Sequence, residues 1–373
     1  MLENAFRLGS VAGIRIGVHY TWFFIFFLLS SALFQSFGLE HPNWSRNTAL
    51  LTAILTTLLF FASIILHELG HSIVALRNGI QVRSITLFIF GGVAQTEKEA
   101  ESAGAEFRIA IAGPAVSLAL ALMFYALATL LSSLSEVSTA ALTWLSRINL
   151  IVAVFNMIPG FPLDGGRVFR ALVWALSGNA ATGMKWAVAS GKLLAYILML
   201  FGLLLVLQPG LLFNGLWMLA IGWFLLFSAQ SSGQSFLVNR IFRAHLAREY
   251  MDTEFHTVAG RLSIHEWLEH HVFTEGKRAY VVTENGQAMG LVTLSDCNKV
   301  PRDQWDRTTL LEVMTPLAQL HAISPTTSIA DALQLMVSHS LNQVPVMEYG
   351  RIIGWIDRER LIRIIQLHNE TGI

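Results

Sequence analysis

Charge is scarce in this chain. Of 373 residues only 13% are Asp, Glu, Lys or Arg, while 54% are hydrophobic, a balance that excludes an ordinary soluble domain and implies that much of the chain faces lipid. Lys plus Arg and Asp plus Glu each number 25, so the net charge is zero and no bulk electrostatic case exists for nucleic acid or a strongly acidic partner. Cysteine is nearly missing as well. Cys297 stands alone and cannot close an internal disulfide; it lies in a stretch that reads as soluble, which suits a reducing cytosol.

Long apolar runs are present instead, crowded before about residue 230. A helix crosses about 30 Å of hydrocarbon in roughly 20 residues, and about six runs qualify, the last two short or glycine-interrupted, so that five or seven spans also fit. They are Val18–Phe37, Ala49–Ala75, Ile109–Leu134, Thr139–Ile158, Met184–Leu207 and Leu211–Phe227. The first has no small-x-small cleavage site behind it and reads as an anchor. Lys and Arg of short loops mark the cytoplasmic side. Arg7 and Arg15 precede the first run, Arg77, Arg83, Lys98 and Arg108 lie between the second and third, Arg167, Arg170 and Lys185 between the fourth and fifth, and Arg240, Arg243 and Arg248 after the last. The opposite loops hold only Arg46. The expected protein is a polytopic α-helical membrane protein, multi-pass in the cell inner or plasma membrane, with both termini cytoplasmic. Arg147 falls inside the fourth run, where the favoured reading is a side chain snorkelling to the outer interface.

The second run ends in His67-Glu68-Leu69-Gly70-His71, an H-E-x-x-H pattern. Residues four apart share a helical face, so both histidines can present a ring nitrogen to one ion, with Glu68 beside them as a general base for a metal-activated water. Chance produces such patterns, but ionisable groups in an apolar helix cost about 3 kcal/mol each unless paired, which favours a functional cluster. A zinc bound by two histidines needs a third protein ligand, with the fourth position left for water. At the end of the fourth run comes Asn156-Met157-Ile158-Pro159-Gly160-Phe161-Pro162-Leu163-Asp164-Gly165-Gly166-Arg167, whose one acid is Asp164. Loop charge places it on the same side as the histidines.

The H-E-x-x-H run together with this N-x-x-P-x-x-P-L-D-G-G-R segment resembles the site-2 protease family of intramembrane zinc metalloproteases. The resemblance implies that His67, His71 and Asp164 bind one Zn2+ per chain, that Glu68 is catalytic, and that Asn156 serves near the catalytic centre as a polar partner of the substrate backbone or developing oxyanion. It also implies a single-span membrane protein as substrate, cut within the lipid bilayer by regulated intramembrane proteolysis. Leu87 to Ala94 and Ala112-Gly113-Pro114-Ala115-Val116-Ser117 resemble the family too. Many members carry Asn where Ser117 stands, so a role for that Asn does not transfer. The first of these segments is β-rich, ends in Gly91 and Gly92 before Val93, and suits a re-entrant hairpin whose edge accepts an extended substrate.

After about Arg248 the composition turns mixed and a repeat is visible. Glu249-Tyr250-Met251-Asp252 and Glu312-Val313-Met314-Thr315-Pro316 each open a unit that ends in a strand-turn-strand, Ala279 to Val292 and Val344 to Ile356. This resembles a tandem CBS domain of α/β fold, which implies clefts for an adenosine nucleotide or a homodimer through the CBS modules. Gly290-Leu291-Val292-Thr293-Leu294-Ser295-Asp296 fits the pattern G-x-x-T-x-x-D, so Thr293 and Asp296 are the expected nucleotide contacts, whereas the second unit lacks both. The expected domains are 1–230 (membrane protease), 231–248 (linker) and 249–373 (cytosolic tandem CBS). His265-Glu266-Trp267-Leu268-Glu269-His270-His271 fails the H-E-x-x-H spacing and reads as a solvated helix face. Two other classes compete: a transporter gated by CBS modules, which would need a polar path, and a catalytically inactive membrane scaffold, against which the four residues His67, Glu68, His71 and Asp164 speak.

Overall fold

The computed structural model describes residues 5–361 apart from 90, 97, 278 and 340; Phe90 of the expected hairpin and the last residues of the expected tail lie outside the described residues. The chain divides into two compact units, Met1–Gln234 and Ser235–Ile373. The first runs β1 (Ala5–Val11), β2 (Ile14–His19), α1 (Thr21–Glu40), α2 (Arg46–Arg77), β3 (Val82–Phe88), β4 (Gly91–Thr96), α3 (Ala103–Leu131), α4 (Glu136–Asn156), α5 (Asp164–Ser177), α6 (Ala180–Val206) and α7 (Leu212–Ala244). All of these helices except α5 are long and apolar enough to cross a membrane, six in number, one for each apolar run. Polar residues set where three of them begin. Ser45, Ser102 and Ser135 accept from the backbone N–H of Thr48, Ala105 and Ser138, satisfying donors that a helix start leaves unpaired. Large apolar side chains stand outward along the spans, such as Phe27 on α1 and Leu130 on α3, as lipid permits and water does not.

Two features depart from the pattern of apolar runs. Val18 does not open the first span; it belongs to β2, which pairs antiparallel with β1 and parallel with β3. The alternating Ile14, Ile16 and Val18 are buried, the period of a half-buried strand, but the partner β3 lies far along the chain. With β4 added, the sheet order is β1-β2-β3-β4. Its buried face packs Ile14, Val82 and Ile85 on Leu69 and Ala75 of α2 and on Ile109 of α3. The sheet is thereby fastened to the turns of α2 that carry the histidine motif. The second departure is α5, a helix that begins at Asp164 itself, within the segment broken by prolines and glycines.

The division between units falls within α7, so the stretch expected as a linker is helical as far as Ala244. In the C-terminal unit β5 (Thr257–Ala259), β6 (Ala279–Glu284), β7 (Gln287–Thr293) and β8 (Thr315–Pro316) form one sheet, and β9 (Gln343–Glu348) pairs with β10 (Arg351–Asp357). The two expected strand-turn-strand segments are β6–β7 and β9–β10. Each half's opening segment joins the other half's sheet: Asp252 bridges Trp355 on β10, and Thr315 pairs with Leu291 on β7. Three apolar cores result among the described residues, one around Val258, Trp267 and Val282, one around Ile329, Met336 and Val346, and one shared by both halves around Val281, Leu291 and Trp355.

Candidate metal centre

α2 presents His67 and His71 one turn apart, and both are buried. Asp164, the first residue of α5, meets them from the other side. Asp164 Oδ2 lies 3.1 Å from Nε2 of His67 and 3.1 Å from Nε2 of His71, and the two nitrogens are 3.2 Å apart. These atoms form a near-equilateral triangle. A tetrahedral zinc with ligands at about 2.0 Å holds them about 3.3 Å apart, so the triangle has the dimensions of one face of such a shell. Among the described residues this is the one His/Cys/Asp/Glu group with ligand atoms gathered this closely.

The far side of each ring determines what the near side offers. Nδ1 of His71 lies 2.6 Å from the carbonyl oxygen of Ile109; a carbonyl only accepts, so Nδ1–H donates and Nε2 of the neutral ring carries a lone pair. Nδ1 of His67 lies 2.8 Å from Ser117 Oγ, and with Nδ1–H donating there this ring also turns its lone pair inward. With both rings neutral, two lone pairs and a carboxylate oxygen face one another, a donor set suited to a divalent cation, and the outer hydrogen bonds are those that orient metal-bound histidines. Gly113 completes the cradle. A Cβ there would collide with Nε2 of His71 and lie 2.6 Å from Nε2 of His67, filling the space before both nitrogens.

Glu68 follows His67 on α2 and stands against β4, where a Cβ on Gly92 would lie 2.6 Å from its Cγ. Asn156, the last residue of α4, is half-buried and makes no side-chain hydrogen bond with a described residue. The structure therefore gathers His67, His71 and Asp164 with Glu68 adjoining, and leaves Asn156 eight positions upstream on another helix. Sequence reasoning assigned no role to several neighbours. Ser117 occupies the expected Asn position and bonds His67 itself, while Ile109 and Gly113 act through α3. Arg167 holds Glu106 through Nε at 3.1 Å and Nη2 at 3.4 Å, and Arg170 reaches Glu99 at 2.8 Å. An acid just ahead of the third apolar run, Glu106, was the available signal.

In the C-terminal unit Thr293 and Asp296 bind each other. Asp296 Oδ2 accepts from Thr293 N at 2.9 Å and Oγ1 at 2.8 Å, and its Oδ1 from Lys299 Nζ at 2.7 Å. The segment His265 to His271 forms surface ion pairs, His265 with Glu269 at 3.4 Å and His271 with Glu275 at 3.0 Å, which is a solvated face.

Comparison with known proteins gives the family. The model of Peptidase family M50 matches residues 55–141 and 131–201, and that of the CBS domain matches residues 311–367, the half with the weaker nucleotide pattern. The chain is 34% identical over 368 residues to sll0528 of Synechocystis sp., provisionally named a zinc metalloprotease, covering 98% of this chain and 96% of that one. It is 30% identical over 376 residues to zinc metalloprotease MJ0392 of Methanocaldococcus jannaschii, covering 98% and 97%. Among solved structures, the site-2 protease from Methanocaldococcus jannaschii is 30% identical, with a TM-score of 0.42, over 61% of this chain and 95% of that one.

Proposed function

The chain belongs to peptidase family M50, a multi-pass membrane zinc metalloendopeptidase with a C-terminal CBS domain, and from that premise we propose that it cuts single-span membrane proteins at the centre formed by His67, His71, Asp164 and Glu68. The observation that carries this reading is the triangle of 3.1, 3.1 and 3.2 Å between Nε2, Nε2 and Oδ2. His67, His71 and Asp164 hold the ion. Zinc, when bound there, supplies Lewis acidity to a water and to the scissile carbonyl. Glu68 takes the proton from the attacking water and returns it to the leaving amide nitrogen. Ser117 and the Ile109 carbonyl keep the two rings turned toward the ion. The edge strand β4, beside Glu68, suits an extended substrate segment, which gains main-chain hydrogen bonds there, and Asn156 offers an amide to its backbone or to the developing oxyanion.

In purified full-length protein with a model single-span substrate, Glu68→Gln keeps about one zinc per chain and lowers turnover by at least about a hundredfold, as loss of a general base does. Asp164→Ala loses both zinc and turnover. Near wild-type cleavage by Glu68→Gln would sink the mechanism.

Regulated intramembrane proteolysis and a nucleotide response belong to the same proposal. An adenosine nucleotide held by the cleft of Thr293 and Asp296 changes the proteolytic rate, because a hydroxyl and a carboxylate together can address phosphate and ribose. Binding has to exchange the bonds these groups make with each other and with Lys299. Calorimetry of the full chain with ATP, ADP and AMP, then cleavage assays with and without Asp296→Ala, measures this; couplings of about five- to a hundredfold in affinity are typical. No binding at millimolar nucleotide, or binding that leaves cleavage unchanged, would favour a dimerisation or substrate-docking module instead.

A further inference from the structure

The acids and guanidinium groups beside the centre form one connected network. α5 carries Asp164, Arg167 and Arg170 at three-residue spacing, which keeps them on one side of the helix. Arg167 grips Glu106 with two of its nitrogens, Nε at 3.1 Å and Nη2 at 3.4 Å. Arg170 lies 3.8 Å from the same Glu106 and 2.8 Å from Glu99. Glu106 and Arg170 are buried at 3% and 6% exposure, a costly arrangement that survives only where partners are well placed.

Glu106 sits on α3 one turn before Ile109, whose carbonyl orients His71, and two turns before Gly113. Glu99 lies in the connection from β4 to α3. The four charges therefore join three parts: the helix that supplies Asp164, the helix that supports both histidines, and the segment that follows the edge strand.

We propose that Glu106, Arg167, Arg170 and Glu99 are positioning residues with two separable tasks. Glu106 and Arg167 set the distance between α3 and α5, and with it the size of the ligand triangle. Arg170 and Glu99 hold the root of β4, and with it the placement of the substrate strand against the metal. This rests on the proposed zinc centre and adds to it how the centre and the substrate edge are held in register.

The experiment uses the full-length protein and reads zinc by competition with a chromophoric chelator as well as cleavage of the model substrate. Glu106→Gln weakens zinc by about tenfold or more, because releasing Arg167 lets α3 and α5 shift and loosens the ligand triangle; about ten- to a hundredfold is the range for lost support around metal ligands. Arg167→Gln does the same, and the double variant loses no more than either alone, since the two act as one pair. Glu99→Gln leaves zinc affinity within about twofold and instead raises KM by about threefold or more or shifts the bond cut, as misplacement of substrate does. Should Glu106→Gln not fold, Arg167→Lys replaces it, keeping the charge but losing the two-nitrogen grip, with weakened zinc again expected. Wild-type zinc affinity in Glu106→Gln and Arg167→Gln, or a Glu99→Gln variant that loses zinc with KM and cleavage position unchanged, overturns the assignment. A wild-type chain that binds no zinc refutes the zinc centre itself, a different result.

Discussion

At residue scale the smallest side chain near the centre carries a sharp expectation. Gly113 faces both ring nitrogens, and a methyl placed there would collide with His71. Gly113→Ala leaves the helices and the membrane insertion intact, since alanine is a better helix former than glycine, yet zinc affinity falls by at least about tenfold, on the scale of lost metal-site support. Metal analysis beside circular dichroism checks this, and an alanine variant with a full zinc complement would refute it. The two histidines were legible because their four-residue spacing is a property of one helix. Gly113 and Ser117 stood out only within a segment resembling the family, and what they and the Ile109 carbonyl do was not legible, because each acts only where α3 crosses α2, and no periodicity within either helix records that crossing.

At element scale the long helices followed directly from apolar length, but α5 and the β1–β2 hairpin did not. α5 begins in Asp164-Gly165-Gly166, and two glycines argue against a helix on propensity alone; packing against α3 and α6 outweighs that. In the C-terminal unit the glycine of each half has a structural task. A Cβ on Gly354 would lie 2.7 Å from the Asp252 carbonyl oxygen, and one on Gly290 would strike that of Thr315, so both glycines admit the opening segment of the other half. Gly354→Ala should therefore destabilise the C-terminal unit by about 1–3 kcal/mol, the range for overpacking, seen as a lower urea midpoint for proteolysis of that unit in the full chain. Zinc content should stay the same. The first half's glycine, read from sequence as part of a nucleotide pattern, thus also serves sheet closure.

At the scale of the whole molecule, loop charge predicts that the active side faces the cytoplasm. Ser102 is exposed at the start of α3, so a Ser102→Cys variant should be labelled by an impermeant maleimide only after the cytoplasmic face is opened. Labelling from outside would invert the topology. The native background is low by construction: burial, with the neighbouring Asp296 charge, pushes the Cys297 thiol up to about 11. At pH 8 it is therefore almost wholly the unreactive thiol, and its burial shields it from the reagent as well.

What the sequence determined by itself was whatever repeats within one element or one short segment. Six spans follow from the length of apolar runs, the donor pair His67 and His71 from helical spacing, the candidate third ligand from the one acid in its segment, and the halves of the tail from their repeat. What only the tertiary structure decided was what separate elements do to one another. The parallel pairing of β2 with β3, the exchange of opening strands, the proton placement on the two rings and the joining of Glu99, Glu106, Arg167 and Arg170 all depend on contacts between distant segments. Loop-closure entropy and packing select such contacts globally, so no local stretch of residues carries their signature.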